Sequence, residues 1–134
     1  MLWNASRWPH FSPAQIACRC CGEMVILPPT LDALEALQTA LGEALVITSA
    51  HRCALHNARV GGAPLSQHKQ LAFDIALAGH DRARLLAAAR AAGFSGFGFG
   101  QTFLHLDTRA RPGHWFYGQR SKEQWTSVLS STPA

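Results

Sequence analysis

The chain reads as an α+β domain, a small antiparallel sheet flanked by helices. Three observations predict it. Leu31, Leu34, Leu37 and Leu41 recur at three- and four-residue spacing, the period of an amphipathic helix. Asp81 to Ala92 is an alanine-rich run with a capping residue at its start and Gly93 at its end. Three short segments, Ala72–Leu77, Phe94–Phe99 and Phe103–Thr108, alternate with the two-residue period of strands. With 134 residues there is room for one domain with a real core and not for two. We take residues 1–134 as that domain, with a core of about 11–117 and tails at 1–10 and 130–134.

In order along the chain, Ser12-Pro13-Ala14-Gln15 forms a capping box with proline at the first helical position, so a short helix begins there. Pro28-Pro29 breaks the chain, and Thr30 caps the leucine-striped helix, which Gly42 ends. Ala44–Thr48 reads as a short buried strand. Ala54–Val60 is a short helix closed by Gly61-Gly62, and Pro64–Leu71 is a loop. Ala72–Leu77 places Asp74 and Ala76 on one face and Phe73, Ile75 and Leu77 on the other. After the alanine-rich helix, Phe94–Phe99 and Phe103–Thr108 form two strands joined by a turn near Gly100-Gln101. Arg109–Gly113 is a loop and Trp115–Tyr117 a short edge strand. Ser121-Lys122-Glu123-Gln124 is a second capping box, opening a last helix to Leu129.

A net charge of +4 makes the surface basic, which suits an anionic polymer such as a cell wall. No Lys/Arg-rich run with interleaved aromatics occurs, which argues against nucleic acid as the partner. No segment approaches the roughly 18 apolar residues of a membrane span. Met1–Phe11 lacks the apolar core of a signal peptide. The chain is therefore expected to be made in the cytoplasm, and a target in the wall would have to be reached by delivery to the periplasm or from a virion.

The four cysteines are Cys18, Cys20, Cys21 and Cys53. Cys18-Arg19-Cys20-Cys21-Gly22 has no second cysteine pair to complete a four-sulfur site. It reads as a thiol cluster or one local disulfide, and becomes a structural metal site only if Cys53 or a histidine joins it.

Chemistry concentrates in two stretches. Ser66-Gln67-His68 leads to Ala72-Phe73-Asp74-Ile75, and Phe103-Leu104-His105-Leu106-Asp107 follows later. Two histidines and an aspartate at the edges of short strands can hold one zinc ion and leave its fourth tetrahedral position for water, as catalytic zinc sites do. A histidine among leucines is more commonly a hydrogen-bonded core residue, and composition alone does not choose among seven histidines. His10, His80 and His114 fall at loops or element ends and read as solvated. His51 and His56 lie near Arg52, close to the expected mouth of the site. His105, Asp107 and Phe103 share one strand face, with Leu104 and Leu106 on the other.

The order of these segments resembles a known family. Ser49-Ala50-His51-Arg52, His56-Asn57, Val60-Gly61-Gly62-Ala63, Ser66-Gln67-His68, Ala72-Phe73-Asp74-Ile75 and Phe103-Leu104-His105-Leu106-Asp107 look like the zinc D-Ala-D-Ala carboxypeptidases. That family includes phage L-alanyl-D-glutamate endopeptidases and shares its fold with the hedgehog signalling domain. The resemblance runs from about Phe11 to about Trp115 and is closest to small phage and prophage members. It implies one zinc ion on His68, Asp74 and His105, substrate binding by Arg52, and a further substrate-side role for Ser66. The implied activity is hydrolysis of peptide bonds in peptidoglycan stem peptides or cross-links by a monomer, of carboxypeptidase or endopeptidase (endolysin) type.

The chain departs from the family pattern at several places. Five residues separate His68 from Asp74 where six are usual. His51 replaces a tyrosine and Cys53 a serine. Many members carry an acid three residues before the last zinc histidine, as general base, and here that position is Thr102, which cannot do that work. Asp107 is then the best candidate base or, equally, a residue that orients His105. His51 is a further candidate. The competing expectation, which Thr102 favours, is a peptidoglycan-binding module of a phage or tail assembly that keeps zinc and has lost turnover.

Overall fold

The computed structural model describes residues 2–62 and 67–131. The short helix α1 is Pro13–Ile16, with the expected capping box between Ser12 and Gln15. Helix α2 is Pro28–Leu41. The two prolines do not break the chain ahead of it. They form its first turn, where a missing N–H costs nothing, and Leu27 rather than Thr30 is the cap. Thr30 is buried instead, its hydroxyl 2.6 Å from that of Thr108.

Strand β1 is Ile47–Ser49, shorter and later than the sequence suggests. It is an edge strand and not a buried one, with Val46 before it 59% exposed. Helix α3 is Ala54–Arg59, and a single 3-10 turn spans Gln67–Lys69. Strand β2 is Phe73–Ala76. Helix α4, Arg82–Ala92, is capped by the Asp81 side chain on Arg84 N–H and ends at Gly93. Strands β3 (Gly96–Phe99), β4 (Phe103–Asp107) and β5 (Gly113–Phe116) complete the sheet. Helix α5 is Gln119–Ser131 and opens two residues before the expected capping box. Ser121 lies inside its first turn, buried, and its hydroxyl donates back to the Gly118 carbonyl.

The sheet order is β1-β2-β4-β3-β5. Pairings β1/β2, β2/β4 and β3/β4 are antiparallel. The last, β3/β5, is parallel, so the sheet is mixed where an antiparallel one was expected. The turn at Gly100–Thr102 returns β4 antiparallel to β3. The loop after β4 then carries the chain back past β3, so β5 joins on the outside in the direction of β3. The α+β class stands.

One face of the sheet is apolar. Phe73, Ile75, Phe97, Phe99, Leu104 and Leu106 join Leu31, Leu34, Leu37 and Leu41 of α2, Leu85 and Leu86 of α4 and Trp125 of α5 in a single core. Trp125 also donates its indole N–H to the Gly100 carbonyl, satisfying its polar atom inside that core. The opposite face of the sheet carries the polar residues of the alternation. Among the described residues no helix is long and apolar enough to cross a membrane.

Candidate metal centre

The polar face is assembled by strand register. Asp74 of β2 lies directly opposite His105 of β4, which lies opposite Gly98 of β3, which pairs with Trp115 of β5. One row across the sheet thus holds a carboxylate, an imidazole, a gap and an indole. His68 comes from the 3-10 turn and meets this row from outside the sheet. Gly98 is needed where it stands: a Cβ there would fall 2.9 Å from His105 Cβ and 2.7 Å from the Tyr117 ring.

Three donor atoms converge. His68 Nε2 and Asp74 Oδ1 are 3.1 Å apart, His105 Nδ1 and His68 Nε2 are 3.1 Å apart, and His105 Nδ1 and Asp74 Oδ1 are 3.2 Å apart. The tautomers follow from the partners on the far side of each ring. His68 Nδ1 faces the Ala50 carbonyl at 2.6 Å, so it carries the proton and Nε2 presents a lone pair. His105 Nε2 faces Asp107 Oδ2 at 2.7 Å, so it carries the proton and Nδ1 presents a lone pair.

Three electron-rich atoms pointing at one spot repel unless a cation lies among them. Zinc bonds of about 2.0–2.1 Å at tetrahedral angles separate their donor atoms by roughly 3.3 Å, close to the triangle found here. The donor set therefore fits a single zinc-like ion. The protonation tendencies agree. Burial would raise the Asp74 carboxyl, but the neighbouring His105 and His68 imidazoles outweigh it and hold it well below the usual carboxylate range. Burial would lower His105, yet its bonds to Asp107 and Asp74 push it above the usual histidine value. A positive charge at this place is strongly favoured.

Asp107 is fully buried. Arg109 forks onto it, Nε to Oδ1 at 2.8 Å and Nη2 to Oδ2 at 2.7 Å, and the Arg109 backbone N–H adds a third bond to Oδ1 at 3.1 Å. Burial favours its neutral form, but Arg109 and His105 hold its carboxyl well below the ordinary range.

A cleft of about 500 Å³ lies over the triad, lined among others by Arg52, His68, Asp74, His105, Trp115 and Tyr117. Arg52 Nε is buried with no hydrogen-bond partner among the described residues. The Arg52 backbone N–H donates to the His68 carbonyl at 2.6 Å, tying the arginine to the first histidine of the triad. His51 does not line this cleft. Its ring is held between the Gln70 carbonyl, 2.6 Å from Nδ1, and Glu23, 3.3 Å from Nε2. Thr102 sits in the exposed β3–β4 turn. Ser66 lies outside the described residues.

The structure thus brings His68, Asp74, His105 and Arg52 to one place, puts Asp107 behind His105, and leaves His51 to one side. Sequence reasoning placed Phe103 on the face of His105 but missed Arg109 and the other aromatics of the wall, Trp115 and Tyr117. The signal for Arg109 was its place two residues beyond Asp107, within reach of a fork once β4 ends. Trp115 and Tyr117 share the parity of a strand face, and Arg109 stacks on the Trp115 ring at 4.5 Å.

Two imidazoles and a carboxylate converging at the floor of a cleft, on the open face of an α+β sheet, are a donor set of the kind that a mononuclear metallohydrolase uses. Residues 9–107 match the family model for peptidase M15, and the chain belongs to that family, a family of metallopeptidases. No curated relative matches the chain.

Proposed function

We propose that this peptidase uses one zinc ion, held by His68, Asp74 and His105, to hydrolyse peptide bonds in peptidoglycan stem peptides or cross-links. The observation that carries the reading is the triangle of donor atoms 3.1–3.2 Å on edge, with its lone pairs directed inward. Zinc so held would supply Lewis acidity for the scissile carbonyl and an activated water.

The chain's own residues do the rest. Ala50 O and Asp107 fix the two imidazole rings, each through the nitrogen remote from the triangle. Both oxygens of Asp107 are already bound, so it acts by positioning His105 and not as the base. Arg52 offers a guanidinium to a substrate carboxylate or a developing oxyanion, by charge-assisted hydrogen bonds. Stem peptides carry such carboxylates, and the net charge of +4 favours an anionic wall, whether the enzyme arrives as an endolysin or by another route. Phe103, Trp115 and Tyr117 give the cleft an apolar wall that keeps water from the bound peptide. Burial keeps the Tyr117 phenol above its ordinary value, so it remains a donor at neutral pH. The enzyme acts as a monomer in this reading.

The second reading is a zinc-holding module that binds wall peptides without cutting them. What favours it is that Asp74, itself in the triad, is the only carboxylate lining the cleft among the described residues. Mass spectrometry of purified muropeptides, incubated with zinc-loaded protein, with chelated protein and with His68→Ala, decides. Zinc-dependent products with free new termini establish the peptidase and identify the bond. Retention of muropeptides without products establishes the binder. Full cleavage by metal-free His68→Ala protein overturns both.

A further inference from the structure

A second set of metal-type ligands converges outside the triad. The Sγ atoms of Cys18, Cys21 and Cys53 lie within 4.8 Å of one another. None of the four cysteines is joined in a disulfide. Cys53, from the segment between β1 and α3, joins a cluster that looked incomplete along the sequence.

The local backbone is built for a sulfur ligand. Cys18-Arg19-Cys20-Cys21-Gly22 is a C-x-x-C-G turn, the short cysteine spacing of structural zinc sites. Gly22 N–H closes it on the Cys18 carbonyl at 2.8 Å. Gly22 takes φ +76°, a left-handed conformation that a side chain would resist. The turn aims the backbone N–H groups of Cys20 and Cys21 at Cys18 Sγ, and Cys53 N–H adds a third at 3.3 Å. Three N–H donors on one sulfur favour the thiolate, the form that binds metal. Cys20 Sγ interacts with the Cys53 thiol and lies 3.8 Å from Arg59 Nη1, a cation that offsets thiolate charge.

We propose that Cys18, Cys21 and Cys53 hold a structural zinc ion, with Cys20 turning in as the fourth thiolate. A disulfide would use two of these sulfurs and leave the others without purpose in the cluster. It would also present the three N–H groups to a much weaker acceptor than a thiolate. The ion has a task. It clasps residues 18–21, just after α1, to Cys53, next to Arg52. The same junction is already bridged by His51 N–H on the Ile16 carbonyl at 3.2 Å, and Arg52 N–H ties the segment on to the His68 carbonyl at 2.6 Å. The cysteine site thus anchors the strand-to-helix segment that carries the arginine of the cleft.

The test is metal analysis of the full chain purified under reducing conditions in zinc. Wild-type protein is expected to hold two zinc ions per chain. His68→Ala keeps one, and the Cys18→Ser/Cys53→Ser double variant keeps one. Loss of the triad ion alone would therefore be read separately from loss of this one. Cobalt-loaded His68→Ala protein should show the intense charge-transfer absorption of cobalt thiolate. That spectrum decides the matter even where the serine variants do not fold. Folded His68→Ala protein with no such band overturns the proposal. So does a mass, taken without reductant, two hydrogens light for a disulfide among these cysteines.

Discussion

Asp107 and His105 stand two residues apart on one strand face, and the carboxylate holds the ring from behind, Oδ2 to Nε2 at 2.7 Å. Arg109 in turn holds the carboxylate with both arms of its fork. The chain of contacts Arg109–Asp107–His105 sets which nitrogen of His105 faces the triad. Asp107→Asn keeps the shape and removes the charge. Outer partners of this kind are worth about 10- to 100-fold in metal affinity. We expect a loss of that size for the triad ion, measured by competition with a chromophoric chelator, and unchanged affinity would remove the positioning role.

Gly96 lies opposite Asp107 on β3. A Cβ at Gly96 would land on the Asp107 carboxylate and 2.5 Å from Arg109 Nε. Gly96→Ala should therefore push the carboxylate off His105, lowering zinc affinity together with stability. Overpacking of this kind costs about 1–3 kcal/mol. Gly113, paired with Gly96 on the other side, has nothing within 4 Å of its would-be Cβ, so Gly113→Ala serves as the control. Chemical denaturation of the two variants tests the pair. Equal stabilities would mean that the space beside Asp107 is not what Gly96 provides.

That glycine also marks how far the sequence could be read. The run Gly96-Phe97-Gly98-Phe99 announced a strand by its period, and the phenylalanines announced the core face. What the glycines were for was not legible, because Gly96 makes room for Asp107 and Gly98 for His105, Trp115 and Tyr117 across strands. The leucine stripe of α2 and the Asp81 cap of α4 were legible because their signals are local. The start of α2 was misread because Pro28-Pro29 has two local meanings, breaker and first turn, and packing chose the second. The parallel β3/β5 pairing was hidden for the opposite reason: loop composition does not reveal on which edge a returning strand docks. His68, Asp74 and His105 stood out as residue types in short strands, and the family resemblance singled them out from the seven histidines. The cysteine cluster was not resolved in sequence, since Cys53 is brought in only by the fold.

Arg52 should separate binding from chemistry. If it grips a substrate carboxylate in both ground and transition states, Arg52→Ala raises KM and spares kcat. If it meets the oxyanion, kcat falls by roughly 10²–10³. Its Nε already lies buried without a partner among the described residues, which suits a group waiting for an anion. Arg52→Lys retains the charge and loses the fork, so we expect only partial recovery. Steady-state kinetics on a defined stem peptide distinguish these outcomes, and wild-type values for Arg52→Ala would remove the arginine from the site.

His105 should make the stability of zinc-loaded and metal-free protein diverge as pH rises. Its value in the folded, metal-free chain is raised, because the hydrogen bonds to Asp107 and Asp74 outweigh burial. A raised histidine stabilises the fold fully below its unfolded value of about 6.5, and that contribution is lost as pH rises through the folded value. Metal-free protein should therefore lose stability through this range. Zinc requires the neutral ring, so each pH unit below the folded value weakens its binding about tenfold, and that gain with rising pH offsets the metal-free loss and leaves the zinc-loaded protein nearly level over the same range. Asp74 and Asp107, both held low, stay ionised throughout and add no slope. Thermal midpoints from pH 6 to 8, with zinc and with chelator, should diverge as pH rises, and His105→Gln should abolish the divergence. Parallel curves for the wild-type protein would mean that proton and metal do not compete for this ring.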